Sequence, residues 1–292
     1  MSQRLLDSRD LEMINQLSLV AKRRMVGLIT GEQRSPVLGG GIEFADYRDY
    51  QPGDDIRRVD WPVFLRLRRL LVKVCAEERE LTLIIMLDIS RSMAFGSPEK
   101  FWTAKRLAAI LAGIALHDGN RVGILTTGMN LKAPLPPEQG RIPLAGVAGI
   151  IEGLEPVDAI NPLNCLRQFE IRYGRKCMLI FISDLLFAEW DQFLAGLGAC
   201  GSECHVLQIL APEETNPPLL GEVTLVDLEN GDELALHLDQ QLLRRYRQEL
   251  ARFLQGVRRA CHRENLGHIL LSTNSSLVRM LHHDLRQGGL VC

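Results

Sequence analysis

The stretch Leu81-Thr-Leu-Ile-Ile-Met-Leu87 restricts the fold more than any other part of the chain. It is apolar, too short to be a free-standing helix, and rich in residues that favour strands. A continuous run of this kind belongs to a strand buried on both faces, as in a parallel sheet covered by helices. It stops abruptly at Asp88, and Ser90 and Ser92 follow at every second position. A second run, Lys176–Ser183, stops in the same way at Asp184. Strand patterns alternate with helical ones from 81 onward. The expectation is an α/β domain with a doubly wound, mainly parallel sheet over 81–292, preceded by a helix and a small β-rich subdomain over 1–80.

Between the runs, Ser97-Pro98-Glu99 reads as a helix start, with proline at the first helical position, and the helix extends to about His117. Strands are expected at 121–126, 203–210 and 268–272. Helices are expected at 141–153, 162–173, 189–199, 239–264 and 275–286, and a loop or short hairpin at 129–140. Asn230-Gly231 is a hairpin turn signal within 221–238. Near the N-terminus, Leu11, Ile14 and Leu17 have helical spacing, predicting one helix over 9–25.

With 46% hydrophobic and 24% charged residues the chain has the composition of a globular protein, and a net charge of -2 supplies no general field for nucleic acid. No apolar run approaches the ~20 residues of a membrane helix, so no direct membrane insertion is expected. The charged N-terminus does not resemble a secretory signal, and seven scattered cysteines read as reduced core thiols, so a cytoplasmic location is expected.

In doubly wound sheets, ligands gather at the carboxyl ends of the strands. Asp88, Ser90, Ser92 and Asp184 would present hard oxygen donors there, suited to Mg2+ and, with more latitude, Mn2+ or Ca2+. Hydroxyls and one or two carboxylates leave room in the shell for water or an acid from a partner. The competing reading of each residue is a capped turn.

Asp88-x-Ser90-x-Ser92 after an apolar strand is similar to the metal-ion-dependent adhesion site of von Willebrand factor A domains. The block from Gly41 to Trp61, with Glu43, Asp46, Arg48, Gln51-Pro-Gly-Asp-Asp55, Arg57-Arg58 and Asp60, followed by Glu77-Glu-Arg-Glu80, resembles the domain of unknown function 58 family. The resemblance covers about 36–210. It implies a non-catalytic, metal-dependent protein-binding module that partners a MoxR-type AAA+ ATPase or its client in chaperone-like complex maturation. It also implies a further oxygen ligand on the loop before a later helix. That family position is threonine, and Asn161 stands there in this chain.

Other readings compete. Arg57, Arg58 and Asp60 fit either a buried ion-pair network joining the subdomain to the main domain or a partner-binding surface. Arg66, Arg68, Arg69 and Lys73, and the arginines of 239–264, read as solvated faces. Cys200, Cys204 and His205 lack the spacing of a zinc site. A haloacid dehalogenase-type phosphohydrolase would need an aspartate where Ser90 stands, and no Gly-rich phosphate loop is present. A scaffold with a degenerate metal site is the third function class.

Overall fold

A computed structural model describes residues 5–20, 26–27, 42–52, 54, 56–78, 81–137, 142–174, 177–217, 221–226 and 232–292. The chain divides into two compact units, one formed by 1–22 with 81–292 and the other by 23–80.

The first helix, α1 (Ser8–Gln16), is set by a capping box. The Asp7 carboxylate accepts from the Arg9 and Asp10 amides, and the Asp10 side chain accepts from the Asp7 amide. It ends at Leu17, well short of 25, because Leu19 bridges to Val291 in an extended conformation. This helix was expected beside the small subdomain but packs in the large unit. Met13, Ile14 and Leu17 enter its main core, and buried Asp10 pairs with Arg106 at 2.7 Å.

The small unit holds strands β1 (Val26–Gly27), β2 (Ile42–Asp49) and β3 (Leu71–Glu78), antiparallel in the order β1-β3-β2, and helix α2 (Trp61–Leu67). Asp60 is 7% exposed and caps α2: one carboxylate oxygen accepts from the Val63 amide and the other from the Tyr47 hydroxyl at 2.7 Å. Arg48 grips Asp54 with both guanidinium nitrogens, at 2.6 and 2.7 Å, which closes the Gln51–Asp54 turn. Arg57 is exposed, and the Arg58 side chain lies outside the described residues.

The large unit is built on a six-stranded sheet. Its strands are β4 (Thr82–Asp88), β5 (Arg121–Thr127), β6 (Lys132–Leu135), β7 (Met178–Ser183), β8 (Glu203–Leu210) and, after the intervening hairpin β9 (Gly221–Val226) and β10 (Glu233–Leu238), β11 (Gly267–Ser272). The order is β11-β8-β7-β4-β5-β6, parallel except for β6. This is the expected fold class. The Asn230-Gly231 turn lies outside the described residues.

Helices cover both faces. Leu83, Ile85 and Leu87 face α1, α3 (Lys100–His117), α4 (Leu144–Glu152) and the C-terminal helix, Leu277–Arg279 continued by a wide turn over Met280–Leu285. Ile84 and Met86 face α5 (Pro162–Arg172), α6 (Trp190–Ala199) and α8 (Gln240–Arg263), which follows the short α7 (Pro212–Thr215). Double-sided burial is why β4 reads as an unbroken apolar run rather than an alternating one. Phe181 on β7 packs against Phe193 with ring centroids 4.7 Å apart and is 1% exposed. Phe181→Ala is expected to cost about 3–5 kcal/mol in urea unfolding, the range for an aromatic removed from a close-packed core.

His268 on β11 is mostly buried, and its Nε2 lies 3.0 Å from the Gln208 Oε1. Burial, then the charge of Arg258, lowers its pKa to about 4. The unfolded chain therefore takes up a proton near pH 6.5 that the folded chain refuses, so stability is lost as pH falls from about 6.5 toward 4. Between pH 7 and 4.5 the wild type should lose about 2–3 kcal/mol more than His268→Gln in denaturant titrations.

Candidate metal centre

The sheet order reverses direction beside β4: the chain leaves β4 for β5 on one side, then returns to β7 on the other. In open α/β sheets ligands bind at such a switch point, outside the strand carboxyl ends, and Asp88, Ser90, Ser92 and Asp184 all lie at that end of the sheet.

Asp88 is the last residue of β4 and is 1% exposed. Its Oδ1 accepts from the Ser90 amide at 3.0 Å and from the Thr127 hydroxyl at 3.3 Å, and its Oδ2 accepts from the Ser183 hydroxyl at 2.6 Å. Three strands, β4, β5 and β7, thus meet on one carboxylate. Ser90 bridges to Val157, the Val157 amide donates to the Ile89 carbonyl at 2.7 Å, and Arg91 pairs with Asp158. These ties fix the Arg91–Ala94 turn so that the Ser90 and Ser92 hydroxyls stand 2.9 Å apart. Ser90 is buried and Ser92 half-buried, so the cluster faces outward through Ser92.

Asp184 follows Ser183 and is also 1% exposed. Its Oδ1 accepts from the Leu186 amide at 3.0 Å, while its backbone carbonyl accepts from the buried Gln208 amide at 3.1 Å. The other carboxylate oxygen meets a group absent from the sequence reading: the Lys100 Nζ at 2.6 Å. The Lys100 side chain has no exposed surface and also contacts the Glu214 Oε1 at 2.5 Å. Glu214 is fixed by the Ala211 amide on its Oε2 at 2.7 Å, and its carbonyl by the Tyr246 hydroxyl at 2.6 Å.

The loop that delivers Lys100 corrects one expectation. Pro98 lies in the turn before α3, and the helix begins at Lys100 with Glu99 as its cap residue. The turn needs Gly96, at φ +98, because a Cβ there would stand 2.4 Å from the Ala211 Cβ.

Asn161 caps α5: its Oδ1 accepts from the Asn164 amide at 3.0 Å. Its own amide donates to the Gly128 carbonyl at 2.8 Å, next to Thr127, which holds it at the same rim. Among the described residues no side-chain hydrogen bond joins it to Asp88, Ser90 or Ser92. The buried hydroxyls of Thr127 and Ser183 complete the Asp88 environment and were not singled out in the sequence.

Electrostatically the site holds more acid than base among the described residues. Asp184 and Glu214 share the Lys100 ammonium, and the buried Asp88 feels the Asp184 charge. Burial, and then the Asp184 charge, push the Asp88 carboxyl above the ordinary carboxylate range, against the pull of the Ser183 and Ser90 hydrogen bonds. Burial also raises Glu214, partly offset by Lys100. Among the described residues no group of three or more His, Cys, Asp or Glu has metal-binding geometry. A cation here would rest mainly on hydroxyls, Asp88 and water, a donor set that fits a hard, partly hydrated dication.

The family model for proteins of unknown function DUF58 matches residues 46–255. The chain belongs to the DUF58 family. Among similar proteins, the uncharacterized protein Rv1480 of Mycobacterium tuberculosis (strain H37Rv) is 31% identical over 227 residues, covering 75% of this chain and 70% of its own, and the uncharacterized protein Mb1516 of Mycobacterium bovis matches equally. The conserved hypothetical protein BatB from Bacteroides thetaiotaomicron has a similar solved structure, at TM-score 0.43 and 18% identity, covering 67% of this chain and 91% of that one. A von Willebrand factor type A protein from Catenulispora acidiphila follows at TM-score 0.39 and 12% identity, covering 75% and 43%. Among the described residues of this DUF58 protein, no helix is long and apolar enough to cross a membrane.

Proposed function

We propose that this DUF58 protein is a non-catalytic binding module that holds Mg2+ at the rim of its sheet and uses it to capture an acidic residue of a protein partner. The observation that carries this reading is the hydrogen-bonded cluster of Asp88, Ser90, Thr127 and Ser183 at the carboxyl ends of β4, β5 and β7, which reaches the surface through half-buried Ser92. Asp88, Ser90 and Ser92 would ligate the ion. Asp184, both of whose carboxylate oxygens are engaged, would act through water, and Asn161 would add its amide oxygen from the neighbouring loop. The dication would supply the charge that the acids lack and a coordination position for a carboxylate from outside.

A binding role also agrees with how the nucleophilic groups are placed. The Ser90 and Ser92 hydroxyls contact each other, and the Lys100 ammonium is held between two acids, so neither offers a free base. From the resemblance of the Gly41–Glu80 block, the partner is a MoxR-type AAA+ ATPase or its client, in complex maturation in the cytoplasm.

The test is a binding assay between the purified chain and a MoxR-type ATPase from the same genome in millimolar Mg2+. Chelation and Asp88→Ala should each weaken the complex by about tenfold or more, in line with the loss of a buried interfacial charge contact. Equal affinity with and without Mg2+ would remove the ion from the mechanism.

A further inference from the structure

The two edges of the large sheet are treated differently. The β6 edge is four residues long, carries Lys132 and Pro134, and has a register irregularity against β5, all devices that blunt an edge against further pairing. The β11 edge is six residues long and pairs regularly with β8 throughout, with no proline, charge or bulge. The Thr273 amide donates to the Leu210 carbonyl. By the alternation of a parallel strand, Ile269 and Leu271 therefore address β8, and His268 and Leu270 turn their N–H and C=O groups to the open side. Among the described residues nothing pairs with these groups.

A groove of about 700 Å³ lies between β11 and α8, with Arg252, Leu254, Arg258, His268 and Leu270 among the residues that line it. Leu270 is 45% exposed on its floor. The outer face of α8 is strongly cationic, with seven arginines against one glutamate. Arg252 is partly neutralised by Glu249, while Arg258 has no acidic partner among the described residues. Backbone donors and acceptors, an apolar floor and a cationic wall in one line suit a single kind of occupant.

We infer that the β11 edge and the α8 groove bind an extended, acidic and apolar segment of a partner protein, which adds to the sheet as a further strand. The open backbone groups of His268 and Leu270 supply the register, Leu254 and Leu270 take alternate apolar side chains, and Arg258 and Arg252 take the acids between them. This surface is distinct from the metal crevice and does not depend on it.

The probe is a fluorescein-labelled ten-residue peptide alternating glutamate with valine, and its lysine–valine counterpart, titrated into the full chain by anisotropy with and without chelator. The acidic peptide should bind saturably in both conditions, slow amide exchange at His268 and Leu270, and outcompete the lysine peptide. Leu270→Pro removes an outward N–H without touching the β8 ladder and should weaken binding about tenfold or more, as should Arg258→Glu. If Leu270→Pro proves poorly folded by thermal melting, Arg258→Glu and the exchange pattern decide. Four results would overturn the inference. They are no saturable binding, equal binding by the variants, tighter binding of a single-stranded oligonucleotide or anionic phosphatidylserine vesicles, and a concentration-dependent dimer of the chain that Leu270→Pro abolishes. The last would put a second copy at the edge.

Discussion

Lys100→Met should destabilise the metal-free protein by about 3–5 kcal/mol, the cost of removing one partner from a buried ion pair. The methionine fills nearly the same volume, so the loss is electrostatic rather than a cavity. Asp184 and Glu214 both lose their shared ammonium, at 2.6 and 2.5 Å, while Asp88 stays buried close by. Paired removal gives the control. Lys100→Met with Glu214→Gln leaves one fewer orphaned acid and should recover part of the loss, since residues of one ion-pair network are not additive. Urea unfolding of the four proteins in the cycle measures it. A single-variant loss under about 1 kcal/mol would mean that the acids are already protonated or solvated without Lys100.

Asp88→Asn should cost little without magnesium and much with it. In chelator, the substitution removes a buried charge that the Asp184 charge opposes, so its stability should lie within about 1 kcal/mol of wild type or above it. At a Mg2+ concentration a hundred times the dissociation constant, the wild type should gain about 2.7 kcal/mol while the variant gains little, because only the native site binds the ion. The same coupling sets a pH dependence. The Asp88 pKa is raised on folding, so in the metal-free protein its contribution to stability falls as pH rises from the ordinary carboxylate range through the folded value. Mg2+ binding displaces that proton and should weaken as pH falls through the same window. Thermal melts of both proteins from pH 4 to 8, with Mg2+ and with chelator, read all three effects.

The sheet was legible because its signals are strong and local. Double-sided burial writes β4 and β7 as unbroken apolar runs, with Asp88 the last residue of the first and Asp184 directly after the second. Helix ends were less legible, because tertiary contacts decided them. The Leu19 bridge to Val291 stops α1 early, and residues 96–99 are taken up by a turn, so that α3 starts at Lys100, past Pro98. Lys100 and Glu214 were missed since they are 114 residues apart and each looks like an ordinary surface charge. One signal was present. A lysine in the first turn of a helix opposes the helix dipole, and that local penalty needs a nearby acid to offset it. Thr127 and Ser183 were harder to see, as a hydroxyl ending an apolar strand reads as the start of a loop. The α1 assignment shows the same limit at domain scale. Sequence proximity placed it with 23–80, but its apolar stripe of Met13, Ile14 and Leu17 matched the face of α3.

The most direct measurement is calorimetric titration of Mg2+ into the chelator-treated chain at pH 7.5, repeated with Mn2+ by electron paramagnetic resonance. One equivalent should bind, and binding should be lost in Asp88→Ala and reduced in Ser90→Ala and Ser92→Ala, with each variant folded by circular dichroism. No heat and no immobilised Mn2+ at millimolar concentration in the folded wild type would show that Lys100 alone balances the acids beside it, and that oxygen ligation of a dication is not what this site does.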